Sequence, residues 1–314
     1  MNFTKTFQQT SIKDIAETGG KGGSLGEMAR NNFPIPPGFV VLASTFENFL
    51  ADTDINIEIN AALNKVNPKD IESVESASEK IQGLIKGEVI NEDIKKEILS
   101  EFNKLDTKFV AVRSSATAED SKIDSWAGEL ESYLNTTEKS LFENVKKCWA
   151  SLYTPRAIFY RHERKLHKSK VSVAVVVQKM IESEISGVAF SVHPITKDHN
   201  QIIIEAGWGL GESIVLGKIT PDSYVITKDD KSIIDVNISE QNIMIVKMSD
   251  KGDVKEVNVA KNKRNKQKLT GQEIIELAEI VIKIEGHYGA PQDVEWTYKD
   301  GKFYIVQSRP ITTL

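Results

Sequence analysis

Along the first half of the chain, apolar residues recur every three or four positions, the period of helices with one buried face. That spacing predicts helices over about 25–31, 45–51, 54–66, 69–85, 91–104 and 138–164, the last with a break near Pro155. Two short apolar runs, about 38–42 and 109–113, read as strands. The second half reverses the balance. Runs rich in β-branched residues at about 171–179, 187–191, 201–205, 223–227, 233–238 and 242–248 read as strands. One strong helix is predicted over 271–288, and a hairpin follows it. A helix-rich lobe over residues 1–170 and a sheet-rich lobe over 171–314 make α+β the expected class, with a cleft between them for a ligand.

Composition narrows the classes of partner. The 314 residues include 40 basic and 45 acidic side chains, and 40% are hydrophobic, which excludes disordered, collagen-like and coiled-coil classes. The net charge of −5 gives no basis for a nucleic-acid partner, because phosphate backbones select basic faces. The single cysteine, Cys148, has no partner for an internal disulfide and predicts a reducing, cytoplasmic compartment. Beside Trp149 in a helical run, it reads as a buried, inert thiol. No apolar signal region follows Met1, and the longest aliphatic stretch, 173–177, is far below the roughly 20 residues that span a bilayer, so no membrane is expected. The basic run Lys261, Lys263, Arg264, Lys266 and Lys268 reads as a solvated loop.

Four stretches carry visible chemistry. Thr18-Gly19-Gly20-Lys21-Gly22-Gly23-Ser24-Leu25-Gly26 sets five glycines around one lysine and opens into a helix. Backbone amides and the ammonium could there approach a polyanion; a glycine-rich turn capping a helix would look similar. The P-loop spacing is absent. In Val110-Ala111-Val112-Arg113-Ser114-Ser115-Ala116, an apolar strand ends in an arginine suited to clamping a phosphate or to pairing with a core carboxylate. Shortly after, Gly128 permits a mobile loop and Ser132 could donate to a phosphate oxygen, although a simple turn fits the pattern too. Glu205-Ala206-Gly207-Trp208-Gly209-Leu210-Gly211-Glu212 follows a strand with three alternate glycines, where backbone must lie close to something. Strand-like residues after it make a dinucleotide fold a poor reading.

The fourth stretch runs from Asp293 to Arg309 and reads as a β-hairpin turning at Lys299-Asp300-Gly301. Residues two apart share a strand face, so Asp293 and Glu295 project together, as do Gln307 and Arg309. A two-residue Asp300-Gly301 loop pairs Glu295 with Val306 and sends Gln307 to the opposite side. A three-residue loop with Gly301 in a bulge pairs Glu295 with Ile305 and Asp293 with Gln307, and gathers Val294, Trp296, Tyr304 and Val306 on the apolar face. The bulged turn is the expectation. The polar face then joins two carboxylates, an amide oxygen and a guanidinium, the hard oxygen donors Mg²⁺ takes with nucleotide phosphates; a surface salt-bridge cluster is the alternative.

These stretches, in this order, together with Gln178-Lys179-Met180 and Gln307-Ser308-Arg309-Pro310, resemble the nucleotide-binding domain of the pyruvate phosphate dikinase and phosphoenolpyruvate synthase family. The likeness runs from about residue 10 onward and is greatest to phosphoenolpyruvate synthases; rifampin phosphotransferases share nearly the same motifs. The resemblance implies an ATP-grasp fold with Mg·ATP (ATP with Mg²⁺) in the cleft between two lobes. Lys21 and Arg113 then stand for the phosphate-binding and catalytic lysine and arginine, Glu295 and Gln307 for the Mg²⁺ ligands with Asp293 close by, and Arg309 for a γ/β-phosphate contact. Gly128 and Ser132 join the nucleotide site, Gln178, Lys179, Met180 and Ile181 match the strand edge that receives adenine, and Glu212 is a candidate for the ribose.

Family members pass the β-phosphoryl of ATP to a histidine on a separate domain, leaving AMP and phosphate. None of the five histidines here lies in a phosphohistidine signature. The expected partners are therefore a phosphohistidine domain or subunit and a pyruvate-binding barrel, this chain being an excised domain or one subunit of a split enzyme. The competing expectations are the ATP-binding part of a rifampin phosphotransferase and a nucleotide-binding module without catalysis.

Overall fold

The computed structural model describes residues 2–117, 131–163, 171–248 and 254–312. The chain divides into two compact units, Met1–Arg30 with Pro37–Met180, and Asn31–Pro36 with Ile181–Leu314.

The first unit runs β1 (Thr4–Thr6), α1 (Ile15–Arg30), β2 (Gly38–Val41), α2 (Ala43–Asp52), α3 (Asn56–Leu63), α4 (Ile71–Gly87), α5 (Glu92–Lys104), β3 (Val110–Ala116), β4 (Ser132–Thr136), α6 (Glu138–Ala150), α7 (Pro155–Glu163) and β5 (Val173–Lys179). Its five strands form one antiparallel sheet in the order β1-β2-β5-β3-β4. Strand alternation divides the sheet. Val110, Val112 and Ala116 of β3 and Val173, Val175 and Val177 of β5 enter a core with Phe46, Phe49, Ile81, Ile98 and Trp149. The rings of Phe49 and Trp149 meet at a tilt with centroids 4.9 Å apart, anchoring α2 to α6. The alternate positions Ala111, Arg113 and Ser115 belong to the other face, where α1 lies: Gly22 packs on Val40 and hydrogen-bonds Ser115.

The strand expected at 171–179 therefore belongs to the first unit. It is the central strand of that sheet, and the chain leaves the unit after Met180 rather than at 170. The short strands β1 and β4 were not predicted. Neither has a sustained alternation of its own; β1 is three residues long and is held by pairing with β2.

The second unit contains β6 (Ile185–Phe190), β7 (Gln201–Trp208), α8 (Glu212–Val215), β8 (Asp222–Thr227), β9 (Ile233–Asn237), β10 (Ile243–Lys247), β11 (Val254–Asn258), α9 (Gly271–Tyr288), β12 (Gln292–Lys299) and β13 (Lys302–Pro310). Six strands pair in the order β13-β12-β6-β7-β8-β9, and β10 and β11 form a separate ribbon. The helix α9 matches its expected span because its ends are written in the sequence. The Thr270 hydroxyl accepts the Glu273 amide while the Glu273 carboxylate accepts the Thr270 amide, and Gly289 closes the helix at φ 65°. Its buried stripe, Ile274, Leu277, Ala278, Val281 and Ile284, belongs with the apolar sheet face of Val294, Trp296, Ala189, Ile202, Ile204 and Ala206. Burying each such aliphatic side chain is worth about 1.5–3 kcal/mol.

One member of the basic run is not solvated. Lys268 is buried, its ammonium 2.7 Å from both Asp222 Oδ1 and the Ser239 carbonyl. A composition-based reading could not see the carboxylate 46 residues away that draws it in. Among the described residues, no helix is long and apolar enough to cross a membrane.

Candidate nucleotide site

In the first unit the expected phosphate-binding groups lie around the end of β3. Glycines at 19–26 do not form an open loop before a helix. The helix already begins at Ile15, is interrupted at Gly19 (φ 66°, ψ 172°), and resumes with Lys21 in its first new turn. A Cβ at Gly19 would collide with the carbonyl and hydroxyl of Ser115, so the residue is required both by its left-handed backbone and by the closeness of β3. Ser115 Oγ accepts the Gly22 amide at 3.2 Å. Arg113, two residues earlier and only 9% exposed, pairs directly across from Ser132 of β4, so these two predicted residues share a face. The Ser114 amide and hydroxyl both donate to the Glu131 carbonyl, fixing β4 beside it. Gln178, buried and opposite Ala111 on β5, belongs to the same sheet face as Arg113.

In the second unit the hairpin β12–β13 brings the remaining groups together, by a route that the sequence reading did not foresee. The turn is the two-residue Asp300-Gly301 loop, with both residues left-handed (φ 49° and 74°) and Lys299 opposite Lys302. The expected bulge at the turn is thus absent. A bulge lies instead within β13: Trp296 pairs with Ile305, but Glu295 pairs with Gln307, leaving Val306 as the extra residue. Asp293 consequently stands opposite Arg309. The extra residue reverses the alternation of β13. Phe303 and Ile305 belong to the apolar face before it and Ser308 after it, whereas Tyr304 and Val306, expected there, do not. Being an outer strand, β13 can accommodate this; its free side is met at Ile305, whose amide donates to the Pro34 carbonyl.

Electrostatically this face is rich in carboxylates. Both Nε and Nη2 of Arg309 donate to Asp293 Oδ2, at 2.9 and 2.8 Å. Burial nevertheless pushes the Asp293 carboxyl above its ordinary range; Arg309 opposes that rise and the Glu295 charge adds to it. Along the row Gln307–Glu295–Val188–Glu205, each residue faces the next across neighbouring strands, which adds a third carboxylate. Burial raises the Glu205 carboxyl too, and the Asp293 charge adds to the rise. Glu295 and Gln307 offer a carboxylate and an amide oxygen from adjacent strands, a donor set suited to a hard cation that takes its other ligands from phosphate and water. No group of three or more His, Cys, Asp or Glu that could hold a metal ion occurs among the described residues.

The AMP/ATP-binding domain of pyruvate phosphate dikinase matches residues 15–314. The chain belongs to this family. The chain is 43% identical to a probable phosphoenolpyruvate synthase of Methanocaldococcus jannaschii, over all of this chain and 27% of that protein. A phosphoenolpyruvate synthase of Pyrococcus furiosus is 38% identical over 99% of this chain and 44% of its own length. A rifampicin phosphotransferase of Bacillus cereus is 36% identical over all of this chain and 36% of its own. The chain thus spans less than half the length of these relatives. Among solved structures, D-alanine–D-alanine ligase from Helicobacter pylori superposes loosely (TM-score 0.33, 14% identity, 76% of this chain and 53% of that one).

The other residues expected at the nucleotide site of this family lie at the following places. Gln178 and Lys179 end β5, Met180 closes the first unit and Ile181 opens the second. The Lys179 amide donates to the Pro37 carbonyl and the Met180 amide to the Phe109 carbonyl, so this segment is pinned by backbone on two sides. Glu212 opens α8, and the preceding Gly211 lies against Ser186, whose hydroxyl donates to the Gly209 carbonyl at 2.7 Å. Ser186 faces Thr297 on the next strand, one step from Glu295. Gly128 lies outside the described residues. Two site-adjacent residues were passed over. Glu205 was legible from the alternation of its strand once the neighbouring strand was known, whereas nothing local to Ser115 signals a bond to a glycine 93 positions earlier.

Proposed function

We propose that this chain binds Mg·ATP through Lys21, Arg113 and Ser132 of the first unit and Asp293, Glu295, Gln307 and Arg309 of the second, in an ATP-grasp arrangement. It would then supply a phosphoryl group to a histidine on another domain or subunit. The observation that supports this most strongly is the bulge at Val306, which sets Gln307 opposite Glu295 and Arg309 opposite Asp293 on one half-buried face. A surface salt-bridge cluster would not need an interrupted ladder.

Each residue has a task that follows from its chemistry. Lys21 and Arg113 hold phosphate oxygens, and Arg113, on a strand paired on both sides, does so with little reorganisation. Glu295 and Gln307 would hold Mg²⁺, which when bound neutralises charge on the triphosphate. Asp293 keeps the Arg309 guanidinium in one plane and so orients it toward the β- and γ-phosphates. Glu212 is assigned to the ribose hydroxyls, and Gln178 to Ile181 to the adenine edge. Overall the β-phosphoryl passes to an imidazole nitrogen, the bond to the α-phosphate breaks to leave AMP, and water takes the γ-phosphate as inorganic phosphate.

Two of the three relatives described are phosphoenolpyruvate synthases, one of them probable, of which the chain covers 27% and 44%, and pyruvate is accordingly the proposed final acceptor on a separate barrel. The 36% identity to a rifampicin phosphotransferase keeps an antibiotic acceptor as the second reading. The test is incubation of the chain with Mg·ATP and a separately supplied phosphohistidine domain. AMP and phosphate in equal amounts, abolished by Glu295→Ala, are the expected products; ADP as sole nucleotide product would overturn the β-phosphoryl assignment.

A further inference from the structure

We propose that Ser115 is a positioning residue for Lys21: its hydroxyl caps the helix restart after Gly19 and thereby holds the lysine-bearing turn against the strand that carries Arg113. The inference rests on the nucleotide-binding reading of Lys21 and Arg113, and adds to it a device that ties together the two elements bearing these cationic side chains.

Four observations converge on it. First, the helix around Lys21 is two helical segments joined through a left-handed glycine, so the second segment starts anew, and the opening turn of a helix takes acceptors from outside it. Second, the acceptor for one of them comes from outside the helix, since the Gly22 amide donates to Ser115 Oγ at 3.2 Å. A serine ordinarily caps the helix it precedes in sequence, whereas this one acts from a strand 93 residues away. Third, the geometry is tight. Ser115 is fully buried in β3, and the absence of a side chain at Gly19 is what lets its carbonyl and hydroxyl approach the kink. Fourth, the residue alternates with Arg113 on the same strand, so the cap and the guanidinium share one face of the sheet.

The physical consequence concerns placement more than folding. Lys21 neighbours the capped amide, so a slip of that turn moves the ammonium relative to Arg113. A first turn left uncapped would fray, and each nucleotide would have to reorder it on binding.

A double-mutant cycle reads this out. Mg·ATP affinity is measured by calorimetry for the wild-type chain, Ser115→Ala, Lys21→Ala and the double variant, with thermal melts recorded for each. Ser115→Ala should weaken binding about tenfold when Lys21 is present and by less than about twofold in the Lys21→Ala background. Equal losses in both backgrounds, or no loss from Ser115→Ala in the wild-type background, would overturn the positioning role while leaving Lys21 as a phosphate ligand. If Lys21→Ala itself binds Mg·ATP as tightly as wild type, the assignment of Lys21 fails, and the inference with it. Should Ser115→Ala fail to fold, Ser115→Cys, a similar volume with a much weaker acceptor, takes its place with the same outcomes.

Discussion

Two polar clusters in the second unit use similar residues to opposite ends. Asp222 and Lys268 form an ion pair with both side chains fully buried, and every neighbour completes it: Asp222 also accepts from the Tyr224 hydroxyl and from the Ser239 and Lys268 amides, while the Lys268 ammonium reaches the Ser239 carbonyl. It ties the start of β8 to the segment entering α9. Asp293 and Arg309 are also paired, but Arg309 is 43% exposed and neighbouring carboxylates keep the local charge from settling. A closed, saturated pair fixes a fold, whereas an open pair beside further oxygen donors is equipped to take a ligand.

The largest effect separating the two should be Asp222→Ala. It leaves a buried ammonium unpaired and should cost about 3–5 kcal/mol in chemical denaturation; a cost below about 1 kcal/mol would mean that the pair is not the closed structural lock described. Next comes Asp293→Asn, expected to slow ATP cleavage with a phosphohistidine domain about 10–100-fold through loss of guanidinium orientation, with little change in melting temperature. A fall in stability as large as that of Asp222→Ala would erase the contrast.

The smallest effect concerns Glu205. Its folded-state carboxyl titrates above the ordinary value of 4.5 because burial and the Asp293 charge disfavour the ionised form. A raised acid costs stability above its unfolded pKa and nothing below it. Glu205→Gln should therefore raise the melting midpoint of the ligand-free chain by about 2 °C at pH 8 and leave it unchanged near pH 4. The opposite ordering would show that Glu205 is held by an attractive partner.

The same hairpin shows what was legible in the sequence. The residues that meet on its polar face were readable from strand alternation and from family resemblance. Their register was not. Asp300-Gly301 is a strong signal for a two-residue turn, yet with an uninterrupted ladder that turn sends Gln307 to the wrong face; placing a bulge at the turn restored the face at the expense of the turn chemistry. The protein keeps the turn and places the bulge five residues later, where Val306 carries no mark distinguishing it from a ladder residue. Lys268 and Ser115 share that difficulty, since each is defined by a partner far away in sequence. The capped ends and apolar stripe of α9, by contrast, are local, and its span was read without error.

The central claim is that the Glu295–Gln307 pair supplies the metal-binding oxygens for the nucleotide. Titrating Mn²⁺ into the chain with ATP, followed by electron paramagnetic resonance, measures this directly. Wild type should bind Mn·ATP at least about 100-fold more tightly than Glu295→Ala, while metal-free ATP binds both equally and both melt within about 3 °C of each other. Equal Mn·ATP affinity in the two proteins would contradict the account.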